Sequence, residues 1–257
     1  MEEIFFKESE DCWMQYFLIA CDIFVREISY IIATSPSTIN VKFLEKGLHE
    51  RPDYLREVLQ SEIDQTNQSE YNYDAVLLAY ALCGNSTKGI IARDLPVVIP
   101  KAHDCITLFL GSRRKYLEEF NNHPGTYYYT PSAVERGSAV GSETNENLEK
   151  KYKEYLAKYG EENAQYLMEI EEGWMKHYSY AASVDFELFR FLNYHGKVKD
   201  IAQKKSLQYR EIAGDLNLLK KLLSGDWNHH EFLILQPGQK VEVTNDESVI
   251  AGVDIQE

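Results

Sequence analysis

The sequence has no uninterrupted apolar run approaching the roughly 20 residues of a membrane span, so no transmembrane helix is expected. It has no basic excess either. Its 27 Lys and Arg stand against 41 Asp and Glu, a formal charge of −14. A polyanion partner needs a basic face that releases counterions, so nucleic acid is excluded as a main partner. The one dense basic cluster, Arg113-Arg114-Lys115, is short enough to be a solvated helix face or to meet a single anionic group. The first residues, "MEEIFFKESEDCW", are acidic and lack a basic stretch followed by an apolar core, so they are not expected to be a signal peptide. Four cysteines, Cys12, Cys21, Cys83 and Cys105, are too few and too scattered for a disulfide framework, and none forms a CxxC pair. Together these absences suggest a soluble cytoplasmic protein with reduced thiols.

What is present is an ordinary globular balance, 44% apolar and 26% charged, with 18 tyrosines expected mainly as amphipathic packing residues. The length allows one large α/β domain or two small ones. "YFLIACDIF" reads as a strand entering a helix, "TINVKFL" as a second strand, and Pro52 opens the helix "PDYLREVLQSEIDQTN". "YDAVLLAYALCG" and "LPVVIP" are continuous rather than alternating, which suits strands buried on both faces of a parallel sheet. "DCITLFLGSRRKYLEEFNN" reads as one helix and "GTYYYT" as a fifth strand ended by Pro131.

Residues 141–177 are charged and helical, with Ser142 and Thr144 as N-cap candidates. They suit a connecting helix pair, a lid or a dimerisation arm. "YSYAASVDF" and "SLQYREIAG" then read as strands, Glu187–Lys204 and "DLNLLKKLLSG" as helices, and "HEFLILQPGQKVEV" as a last strand and a turn. The alternation predicts an α/β fold with a parallel sheet, Rossmann-like and three-layered, with room for two similar lobes. The expected divisions are 1–140, carrying the site, the helical connector 141–177, and a C-terminal α/β half 178–257.

In open parallel sheets ligands sit beyond the carboxyl ends of the strands. The unusual residues fall there: Cys21 after the first strand, His49, Glu50 and Arg51 after the second, Cys83, Gly84 and Asn85 after the third. His103, Asp104 and Cys105 follow the fourth, and Thr130-Pro131 the fifth. Thiol and imidazole are the ligands that zinc-like ions prefer. Cys83, His103 and Cys105, with Cys21 or His49, are therefore candidate metal ligands.

Asp104 and Glu50 are candidate proton-transfer groups. Gly84, Asn85, Lys88, Arg51 and Arg113 are candidates to hold a cofactor or an anionic substrate group. "CGNSTKG" lacks the P-loop spacing. The same residues also suit buried structural thiols, or a metal-free thiol enzyme in which the start of a helix lowers the pKa of Cys105. Cys12 and the histidines at 123, 177, 195, 229 and 230 lie away from these strand ends and are expected to be structural.

The runs "GLHERPDYLREVLQSEID", "YDAVLLAYALCGNS" and "LPVVIPKAHDCITLFLGSRRKYLEEFNNHPGTYYYTP" resemble the family numbered 1638 among the domains of unknown function. The likeness is dense from Gly47 to Pro131 and looser in "LLKKLLSGDW" and "FLILQPGQ". Ser86 departs from it, standing where a second glycine is common after "CGN". The resemblance implies cytoplasmic proteins of anaerobes, sometimes associated with corrinoid-dependent methyl transfer. It implies no assigned activity. Two functions follow as expectations. One is a metal-dependent enzyme, in methyl or other group transfer. The other is a non-catalytic binding or carrier protein for a metal or a corrinoid. A small-molecule ligand, a homo-oligomer or a corrinoid protein are the compatible partners.

Overall fold

The computed structural model describes residues 13–66, 69–137, 139, 145–172 and 178–255. The first strand, β1 (Gln15–Cys21), lies inside the first sheet and pairs in parallel with β2 (Thr38–Leu44) and with the central strand β3 (Ala75–Ala79). β3 pairs in parallel with β4 (Val97–Pro100), and a later strand, β8 (Phe232–Leu235), closes the far edge antiparallel to β4. The order is β2-β1-β3-β4-β8. Every residue of β3 and β4 is buried, as their continuous apolar sequences require.

Alternate residues of β3 face two different apolar clusters. Ala75, Leu77 and Ala79 join Phe24, Ile28 and Leu219, from helices α1 (Val25–Thr34) and α9 (Asn217–Ser224) and the turn before α1. Val76 and Leu78 join Leu55, Leu59 and Ile63 of α2 (Pro52–Thr66). The sheet is thus covered on both sides, and the α/β reading with a mostly parallel sheet holds.

The fifth strand departs from expectation. β5 (Thr126–Tyr129) lies in a second, parallel sheet of order β5-β6-β7, with β6 (Tyr180–Asp185) and β7 (Gln208–Ala213). Thr130 accordingly does not end at the first sheet's edge. Its hydroxyl accepts from the Ala133 N–H and caps the short helix α5 (Pro131–Glu135). One apolar cluster runs continuously from the first sheet to the second through Phe24, Phe109 and Phe186. The Phe24 and Phe109 rings stack at 4.4 Å.

Two expected helices are broken. "DCITLFLGSRRKYLEEFNN" divides into α3 (Cys105–Leu110) and α4 (Arg113–Asn122), because Gly111 adopts φ +77° and Ser112 caps the second helix. A Cβ on Gly111 would stand 2.6 Å from Cβ of Asp215, whose N–H donates to the Phe109 carbonyl at 2.9 Å. Glu187–Lys204 divides at Asn193, φ +48°, into a 3₁₀ turn and α8 (Tyr194–Lys204).

The charged segment forms a helix pair, α6 (Asn145–Tyr159) and α7 (Glu161–Glu172). Ser142, Thr144 and His177 lie outside the described residues, as does Cys12. Beyond β8 the chain adds a hairpin that the sequence reading did not resolve, β9 (Gln239–Val243) and β10 (Ile250–Asp254).

Glu27 on α1 is fully buried against Ser132 of α5, and one of its carboxyl oxygens has no hydrogen-bond partner among the described residues. Burial raises its pKa to about 7. A carboxyl raised in the folded state stabilises fully below its unfolded pKa, and that contribution is lost as pH rises through about 7. Glu27→Gln should therefore gain stability relative to wild type between pH 4 and pH 8, by on the order of 3 kcal/mol, in denaturant titrations at the two pH values. An equal difference at both would contradict the burial of an ionisable group there.

Candidate functional site

Two loops at the carboxyl edge of the first sheet are fixed by backbone geometry. After β3 the chain keeps pairing with the segment after β4. The Leu82 N–H donates to the Ala102 carbonyl at 2.9 Å, and the Cys83 N–H to the His103 carbonyl at 3.0 Å. Cys83, Gly84 and Asn85 then all take positive φ, +43°, +67° and +72°. Such a conformation costs an L-residue about 1 kcal/mol. At Cys83 the cost falls on a residue that the sequence already marks as a candidate ligand.

These loops, with the end of β1 and the turn after β2, enclose a cavity of about 270 Å³. Cys21, Cys83, Cys105, His49, His103, Asp104 and Gly84 all line it. Seven of the residues selected from sequence are thus brought together from four strand ends.

The others lie outside that lining. Arg51 is exposed and stacks on the Tyr54 ring at 4.7 Å. Lys88 is exposed, 4.0 Å from Glu242. Asn85 and Glu50 are exposed and Arg113 is half-buried, none of them on the wall. Lys46 was missed by the sequence reading and does line the wall. It looked like an ordinary surface lysine in "LEKGL", but a 3₁₀ turn (Lys46–Glu50) carries it inward, to 4% exposure.

The electrostatics are those of neutral thiols half-buried in the cavity wall. Burial pushes the Cys21 and Cys83 thiols up to about 12, and Cys105 well above its ordinary value, with Cys83 and Asp104 adding to it. The expectation that the helix start lowers the Cys105 pKa is therefore reversed. Helix α3 has only six residues, and Asp104 already accepts its free N–H groups, from Ile106 at 3.1 Å and Thr107 at 3.4 Å. The other Asp104 oxygen accepts from the Tyr116 hydroxyl at 2.8 Å. Burial raises the Asp104 pKa, and these bonds oppose the rise.

Burial lowers Lys46 to about 8. Its ammonium donates to the Ala139 carbonyl at 2.8 Å, and its backbone N–H to Asp22. His49 is tied through Nδ1 to the Lys46 carbonyl. Among the described residues, no three His, Cys, Asp or Glu side chains stand grouped so as to hold a metal ion. All three described cysteines are free.

Of the histidines set aside, His195 has the most ordered surroundings. It joins Ser183 Oγ at 2.8 Å to Asp185 at 3.1 Å and stacks on Tyr194. Ser183 is fully buried in β6, so this arrangement ties α8 to the second sheet.

A neutral, enclosed thiol is a poor nucleophile. Alkylation of Cys21 and Cys83 by iodoacetamide near pH 8 should be at least about 100-fold slower in the folded protein than in urea, followed by mass spectrometry of each peptide. Equal rates would show that these thiols are open to solvent and ionised.

The comparisons with known proteins agree with the sequence resemblance. No curated protein and no solved structure matches the chain. The family model described as "Protein of unknown function (DUF1638)" matches residues 43–223, which include every lining residue except those of Cys21–Phe24. The chain belongs to the DUF1638 family.

Proposed function

We propose that the protein binds a soft divalent ion of the zinc type in this cavity, through the thiolates of Cys21, Cys83 and Cys105. His49 or His103 would supply a further ligand. The observation that carries this reading is the convergence of three cysteines and two histidines, from four separate segments, on one small enclosed space. The donor set suits zinc. Because the thiols are neutral and ungrouped as they stand, binding requires rotation of their side chains and release of their protons. A cytoplasmic setting, in which thiols stay reduced, suits the site. A Rossmann-like reading of the first sheet is supported by the parallel β2-β1-β3-β4 order and by helices on both faces.

Binding is favoured over catalysis by the state of the two candidate acids. Asp104 is occupied by its cap and by Tyr116, and Glu50 is not on the wall. The second reading, methyl or other group transfer with a corrinoid partner, draws on the cavity volume, which leaves room for a substrate beside an ion. An Asp104→Asn variant separates the two. A binding protein keeps its metal affinity, whereas an enzyme that uses this carboxyl loses turnover.

Protein purified without chelator and analysed by elemental mass spectrometry should hold about one zinc-class ion per chain. Cys83→Ser or Cys105→Ser should weaken binding by at least about tenfold. Affinity should also rise with pH, because the raised thiol pKa values make proton release part of binding. No ion as purified and none after loading with zinc would overturn the proposal.

A further inference from the structure

The space beside the thiols is larger than an ion needs, and its wall is largely apolar. A cavity of about 150 Å³ with apolar walls already admits benzene, against about 270 Å³ here. Ile23, Phe24, Ala79 and the neutral thiols supply carbon and sulfur surface. The charged side chains on the wall direct their polar atoms to protein partners. The Lys46 ammonium donates to the Ala139 carbonyl at 2.8 Å. Asp104 accepts from Ile106 and Thr107 with one oxygen and from the Tyr116 hydroxyl with the other. A charged occupant would therefore give up its hydration against walls that repay little of it.

Tyr80, the residue after β3, lines the same cavity and is only 4% exposed. Its hydroxyl has no hydrogen-bond partner among the described residues. An unmade hydrogen bond at a buried hydroxyl costs about 1–3 kcal/mol. Native structures keep such groups rarely, and chiefly where something else completes them. Burial and the nearby Cys21 and Cys83 thiols push its pKa well up, so it stays a donor. The hydroxyl oxygen is itself covered, so an acceptor reaches it after a small turn of the ring.

We propose that the cavity binds a small neutral molecule with a compact apolar body and one acceptor, such as a carbonyl oxygen, which accepts from the Tyr80 hydroxyl. The apolar body is driven in by removal of its surface and that of Ile23, Phe24 and Ala79 from water. The acceptor completes the one buried donor on the wall and fixes the orientation of the ring or chain that carries it. Neither contact involves an ion, so this site goes beyond the metal reading and does not depend on it.

The test titrates the isotope-labelled full chain, treated with chelator, with three six-membered-ring probes and follows backbone amide shifts. The probes are cyclohexanone, methylenecyclohexane, in which a CH₂ group replaces the carbonyl oxygen, and cyclohexanecarboxylate. Both neutral probes are expected to shift residues 79–84 and 103–105. Cyclohexanecarboxylate should bind at least about tenfold more weakly than cyclohexanone, because its charge must leave water. Tyr80→Phe should lose about fivefold in cyclohexanone affinity, the worth of one neutral hydrogen bond. It should keep its affinity for methylenecyclohexane, which also shows that the variant retains a folded cavity. Absence of shifts from either neutral probe up to its solubility limit would overturn the proposal. So would cyclohexanecarboxylate binding as tightly as cyclohexanone, an unchanged cyclohexanone affinity in Tyr80→Phe, or an equal loss for both neutral probes. The metal reading is scored separately, by ion content, so either can fail alone.

Discussion

Two backbone hydrogen bonds hold the site together, from Leu82 to Ala102 and from Cys83 to His103. They extend the pairing of β3 and β4 beyond the strands and force two loops to run side by side. Without them Cys83 and Cys105 would belong to separate turns. With them, the chain after β3 must turn sharply, and it does so through three consecutive residues at positive φ. Asp104 then starts α3 so that Cys105 enters the helix at the cavity wall. The thiol of Cys21 arrives at the same level because β1 is hydrogen-bonded to β3 in register, Ala20 beside Ala79.

The enclosure so formed governs the chemistry. Thiols in such a place are neutral, and an ammonium there is destabilised; burial is the largest cause in each case. A soft cation offsets the first effect by drawing protons from the thiols. The metal reading is therefore a consequence of one physical state, a largely apolar cavity that desolvates the thiols on its wall.

Much of this was legible in the sequence, for definable reasons. Continuous apolar runs marked β3 and β4, and the parallel-sheet rule placed His49, Cys83, His103 and Cys105 at one edge. What failed depended on long-range pairing or on local turns. "GTYYYT" has the composition of a strand, but nothing in it says that its partner is β6 rather than β4. Gly111 sits inside an amphipathic pattern, and only the approach of Asp215 shows why the helix must break there. Lys46 was missed because lysine is common on surfaces and its burial arises from the 3₁₀ turn after β2. The sign of the Cys105 shift was misjudged because a six-residue helix with its N–H groups already capped does not offset desolvation.

The central claim is that Cys21, Cys83 and Cys105 act on one occupant. Arsenite tests it most directly, because trivalent arsenic exchanges three hydroxyl groups for three thiols, releasing water. In a variant with Cys12 replaced by Ser, arsenic absorption spectroscopy should find one arsenic per chain bound by three sulfurs. Replacing any one of the three cysteines should remove that signature. Arsenic that is not retained, or that is held unchanged when one of them is replaced, would contradict the account.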